Sequence, residues 1–154
     1  LGPVEREIGE TQLLLGDLAH PHKLFRPNGN GTLGHHLLSS EALQYLIENR
    51  YTVVTWNNVP RDWGESRTGW ADRALQTLET QDWSLLVLHD EHQATMMDRL
   101  AAFYDRIASM GIAVVQELPR SCVPVLCGVA TADADNIVTR RGTDRATPGA
   151  PEPA

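Results

Sequence analysis

The stretch Ser84 to Leu88 runs without a charge into His89 and Asp90, and it restricts the fold more than any other part of the chain. A segment this short and apolar suits a β-strand covered on both faces, the kind found in parallel sheets. His89 and Asp90 then stand at the strand's carboxyl end. In folds built from parallel strands the following loops converge there, and backbone groups remain free for a ligand. Two other predicted strands also end in unusual polar residues. Lys23 to Phe25 leads into Arg26-Pro27, and Tyr51 to Trp56 leads into Asn57-Asn58 and then Asp62-Trp63. As parallel neighbours, these strands bring Arg26, Asp62, Trp63 and His89 to one cleft.

Helical spacing fills the gaps between the strands. Val4 to Leu18 sets Val4, Ile8, Leu15 and Leu18 near one stripe, with Glu5, Glu7 and Glu10 toward the positive amino end. Ser39 or Ser40 can cap a helix that runs to Asn49, its side-chain oxygen accepting from a free backbone N–H, with Leu43, Leu46 and Ile47 inward. Thr68 to Gln81 carries Trp70, Ala74, Leu75 and Leu78 at helical spacing. Ala94 to Met110 carries Met97, Leu100, Ala101, Tyr104, Ile107 and Ala108, and Gly111 ends it. A fourth strand is predicted over Ile112 to Gln116. Alternating strands and helices imply an α/β fold of about four parallel strands joined by right-handed crossovers. The loop from Asn57 to Arg67 is long enough to suggest function. From Gly128 to Ala154 the density of Asp, Thr, Pro, Gly and Ala predicts a flexible tail, leaving 1–127 as the folded part.

With 154 residues, 42% of them hydrophobic, the chain can bury the core of one domain. The formal net charge of -7, with scattered Lys and Arg, offers no basic face to a nucleic acid or an anionic membrane. No apolar run approaches the roughly 20 residues that span a bilayer, and no signal-peptide pattern is present. Leu1 stands where a Met would open a reading frame, close before a helical segment, so the chain is expected to be a piece of a longer polypeptide.

Several patterns suggest chemistry less strongly. Gly29-Asn30-Gly31-Thr32-Leu33-Gly34 fits G-x-G-x-x-G, whose glycines let a backbone approach a pyrophosphate. A dinucleotide site also requires an acidic residue at the end of the next strand, and that strand ends in Trp56-Asn57-Asn58, so a plain glycine-rich turn fits better. Six histidines occur as His20/His22, His35/His36 and His89/His92. A metal needs at least three converging ligands, and His89, Asp90 and His92 come nearest to such a set. The two cysteines, Cys122 and Cys127, have apolar neighbours that favour buried free thiols over a bridge.

Three separated motifs together resemble the polysaccharide deacetylase family, the NodB-homology or carbohydrate esterase family 4 domain. Leu24-Phe25-Arg26-Pro27-Asn28 looks like its F-R-P-P-x-G segment. Trp56 through Asp62-Trp63 looks like its W-x-x-x-x-x-D-W segment, and Val87-Leu88-His89-Asp90 looks like its closing L-x-H-D. Order and spacing resemble the carboxyl-terminal half of that domain, over about Val4 to Leu118. The resemblance implies part of a distorted (β/α) barrel that removes acetyl groups from N-acetylated sugar polymers or oligosaccharides with a divalent metal, zinc or similar. It implies that His89 is the general acid, that Asp62 positions it, and that Arg26 orients an aspartate base. Trp63, Pro27 and Val87 would line the sugar groove. An imidazole acting as acid does need a carboxylate close by to hold its proton.

The family's Asp-Asp pair and its metal-binding H-x-x-x-H have no counterpart in this chain. Both are expected upstream of Leu1, in a missing amino-terminal half of the same domain. Without that half, no metal-held water and no deacetylation are expected, and open strand edges and apolar faces should be left uncovered. The departures Asn28 for proline and Val87 for leucine touch substrate detail. The competing reading is a non-catalytic deacetylase-like module that binds a glycan or a protein.

Overall fold

The computed structural model describes residues 2–63, 67–89 and 93–139. Its elements run α1 (Glu10–Leu15), β1 (Leu24–Phe25), α2 (Ser40–Glu48), β2 (Thr52–Val53), α3 (Trp70–Leu78), α4 (Gln93–Ser109), β3 (Val125–Leu126) and β4 (Val129–Ala130). A π-helical turn, Glu5–Gly9, leads into α1, and 3₁₀ turns cover Gly16–Leu18, Arg67–Gly69, Arg120–Cys122 and Ala132–Asn136.

The strands form one mixed sheet in the order β1-β2-β3-β4. β1 and β2 pair in parallel, Leu24 with Thr52 and Phe25 with Val53. β2–β3 and β3–β4 are antiparallel, so the expectation of about four parallel strands is corrected. For β3–β4 the cause is the two-residue turn Cys127-Gly128, with φ of 48° and 83°, which folds β4 straight back on β3. A parallel connection would need a crossover of a dozen or more residues. Among the described residues the sheet does not close into a barrel. The strand expected over Ile112 to Gln116 is absent as well. Val114 and Val115 are exposed there, and β3 occupies the place beside β2.

The strand expected over Ser84 to Leu88 is reduced to one isolated bridge. Leu86 bridges in parallel to Asn58, and the Val87 N–H donates to the Asn58 carbonyl at 3.0 Å. Side chains alternate along an extended segment. Leu85 and Val87 pack into a cluster with Leu37, Leu46, Val53, Trp56 and Val125. Leu86 and Leu88 pack into a second one, with Trp70, Ala74, Phe103 and Ile107 between α3 and α4. Both faces are therefore covered, which burial of a side chain such as Val87 rewards with roughly 1.5–3 kcal/mol.

The helices depart from their expected faces in identifiable ways. Ser39 caps α2, its Oγ accepting from the Ala42 N–H at 3.0 Å, and Leu46 is fully buried. On α4, Phe103 and Ile107 point inward while Tyr104 is half exposed; the Met97 side chain lies outside the described residues. Val4 and Ile8 reach the core, but Leu15 and Leu18 do not, and Leu13, Leu14 and Leu18 are at least 80% exposed. The segment after Gly128, expected to bury little, sets Ala134 and Ile137 into the sheet cluster, and Leu38 bridges to Val138. Residues 140–154 lie outside the described part. No described helix is long and apolar enough to cross a membrane. Both cysteines are free thiols, Cys122 buried and Cys127 partly so.

Candidate functional site

The parallel pairings carry Arg26, the Asn57–Trp63 loop and His89 past the same ends of their strands. Asn57 and Asn58 lock the loop to the 84–88 segment. Asn57 Oδ1 accepts from the Leu85 N–H at 2.7 Å, and the Asn58 Nδ2 donates to Ser84 Oγ at 2.9 Å and to the Ala74 carbonyl at 3.1 Å. Neither asparagine was given a role by the sequence reading. A buried amide beside a strand end, with its hydrogen-bonding capacity to fill, was the signal that could have found Asn58.

Asp62 and His89, 27 positions apart, meet at the end of this arrangement. The Asp62 side chain is only 1% exposed and that of His89 is 36% exposed. Asp62 Oδ2 accepts from the His89 backbone N–H at 2.5 Å, and Oδ1 faces the ring Nδ1 at 2.8 Å. A carboxylate can only accept, so Nδ1 carries the proton and Nε2 is the ring nitrogen not engaged by Asp62. The bond to the backbone fixes the position of the residue, and the bond to the ring fixes its rotation. Trp63 sets its ring edge-on to the imidazole, with centroids 4.9 Å apart and planes at 80°.

Arg26 meets Trp56, the residue that precedes the Asn57–Trp63 loop. Its guanidinium lies over the Trp56 ring, 5.9 Å from the centroid, a cation–π distance. Trp56 Nε1 donates to the Gly31 carbonyl at 3.4 Å. Gly31 has φ of 83°, and a Cβ on it would lie 3.5 Å from Trp63 Cη2. Gly29 serves packing, since a Cβ there would lie 2.9 Å from the Thr32 carbonyl and clash with Leu37. α2 begins only at Ser40, away from the glycines, so the loop has no helix amino end to offer a phosphate.

Two expected groove residues are buried. Val87 belongs to the hydrophobic core at 7% exposure, because alternation points it away from the Leu88 side and into the sheet cluster. Pro27 is buried. Asp90 and His92 lie outside the described residues, as does any metal set built on them. Among the described residues no three His, Cys, Asp or Glu converge on a point where a metal ion could sit. Outside the site, burial pushes the Cys122 thiol and the Tyr51 phenol above their ordinary pKa values. The chain matches no protein-family model, no curated protein and no solved structure.

Proposed function

We propose that the chain is the carboxyl-terminal part of a polysaccharide deacetylase-type (β/α) barrel and supplies the acid arm of a hydrolase acting on N-acetylated sugars. The observation that carries this reading is the buried Asp62 carboxylate holding His89 by both its backbone and its ring, with Trp63 against it.

The reaction adds water to the acetyl carbonyl carbon and breaks the carbon–nitrogen bond, giving acetate and a free amine. His89, protonated at both nitrogens, gives its Nε2 proton to the amine nitrogen as that bond breaks. Asp62 stays ionised against Nδ1, so the ring keeps its orientation while its charge changes. Trp63 offers an apolar wall against which a sugar ring can lie. Arg26 orients an aspartate base that takes the proton from water, and that base, like the metal the resemblance implies, belongs to residues beyond those described. The chain by itself is expected to release no acetate.

The test is acetate release from N-acetylated sugar oligomers by the full-length polypeptide and by its His89→Ala variant. Loss of the general acid should lower turnover by about 10²–10⁴-fold. Unchanged turnover would remove His89 from the chemistry and end the reading. Saturable oligomer binding without acetate release, with Asp62 and His89 intact, would support the glycan-binding module instead.

A further inference from the structure

The residue that presents Asp62 to His89 is not on the sheet. Arg61, immediately before Asp62, has φ of 53°, a left-handed conformation that a non-glycine side chain adopts at a cost and keeps only where its surroundings enforce it. Arg73, in the middle of α3, supplies that enforcement. Its Nε donates to the Pro60 carbonyl at 2.6 Å and its Nη2 to the Arg61 carbonyl at 3.0 Å. A planar guanidinium can hold two successive carbonyls in this way because its donors form a rigid fork. The carbonyl of the next helical residue, Ala74, accepts from Asn58 Nδ2, so α3 holds the loop at Asn58, Pro60 and Arg61. Gly69 makes room for the fork, since a Cβ there would lie 2.7 Å from Arg73 Nη1.

We propose that Arg73 is a positioning residue: by holding the strained turn at Pro60 and Arg61 it sets the Asp62 carboxylate and, through it, the tautomer of His89. The role rests on the acid arm described above for its catalytic meaning. The geometry it asserts is independent of the reaction. The two carbonyls that Arg73 holds belong to the residues just before Asp62, so its loss should reach the ring through the Asp62 carboxylate.

The measurement is the long-range ¹H–¹⁵N spectrum of the His89 ring in wild type, Arg73→Ala, Arg73→Lys and Gly69→Ala. Gly69→Ala keeps the guanidinium but crowds it out of place. In wild type the Nδ1–H form is expected alone. Arg73→Ala and Gly69→Ala should give a mixture of the two tautomers, with Nδ1–H exchanging with solvent about tenfold faster, as expected for the loss of about one net hydrogen bond. Arg73→Lys should fall between, because an ammonium can hold one carbonyl but not two in a fork. A purely structural residue would lower the melting temperature and leave the ring's tautomer unchanged in the folded protein. An unchanged Nδ1–H signal in folded Arg73→Ala overturns the proposal, and an unchanged signal in Arg73→Lys does so if Arg73→Ala does not fold. If the ring responds as stated but the full-length polypeptide releases no acetate, the hydrolase reading falls and the positioning role stands.

Discussion

Asp62→Asn is the substitution whose cost follows most directly from the geometry. The carboxylate accepts two N–H groups, one from the His89 backbone and one from its ring. An amide of the same shape has one oxygen and one NH₂: the oxygen can keep the backbone N–H, and the NH₂ then meets Nδ1, which accepts it only if the ring moves its proton to Nε2. Both bonds lose the charge. A hydrogen bond to a charged group contributes about 1.5–3 kcal/mol against about 0.5–1.5 kcal/mol for a neutral one. The ring bond is discounted because the His89 side chain is 36% exposed, where solvent takes over part of the interaction. The expected loss is about 1–2 kcal/mol, or a fall in melting temperature of roughly 2–8 °C for a chain of this size. Thermal unfolding followed by circular dichroism measures it, with the exposed Asp105→Asn as a control expected to change stability by under about 0.5 kcal/mol. A melting temperature for Asp62→Asn within about 1 °C of wild type would show that the pair is not made as described.

Two further outcomes test the scaffold. A thiol reagent should modify Cys127 readily and Cys122 only on unfolding, because Cys122 is 2% exposed and burial raises its pKa, leaving little thiolate. Equal rates for both thiols in the native protein would contradict the packing of the Arg120–Cys122 turn. Gly128→Ala should destabilise by about 1–3 kcal/mol, measured by urea unfolding. Its φ is 83° and the added Cβ would lie 2.5 Å from the Ile47 carbonyl. A neutral effect would mean that β3 and β4 are not joined by this turn.

The sequence made some of this legible for physical reasons. An unbroken apolar run needs cover on both sides, and Leu85 through Leu88 find it in two clusters. Trp70 and Ala74, one helical turn apart, face inward as their spacing requires. The conjunction of Asp62, Trp63 and His89 followed from placing three strand ends side by side. What stayed hidden depends on partners that no local pattern names. Val114 and Val115 have strand-like side chains but no strand beside them, whereas Val125 and Val129 gain pairing from a tight turn centred on Cys127, a residue that seldom marks one. Leu15 and Leu18 lie on the expected stripe, yet the chain's own core does not reach them. Arg73 was unreadable for a different reason. A charged residue within a helix is ordinarily a solvated one, and the carbonyls of Pro60 and Arg61 that it holds lie in a distant loop.

Everything at the site follows from Asp62 fixing which nitrogen of His89 is left to work. The long-range ¹H–¹⁵N spectrum of the wild-type ring at neutral pH measures this directly. A protonated Nδ1 in slow exchange with solvent is the result the structure predicts, and a ring dominated by the Nε2–H tautomer, or freely exchanging between the two, would contradict it.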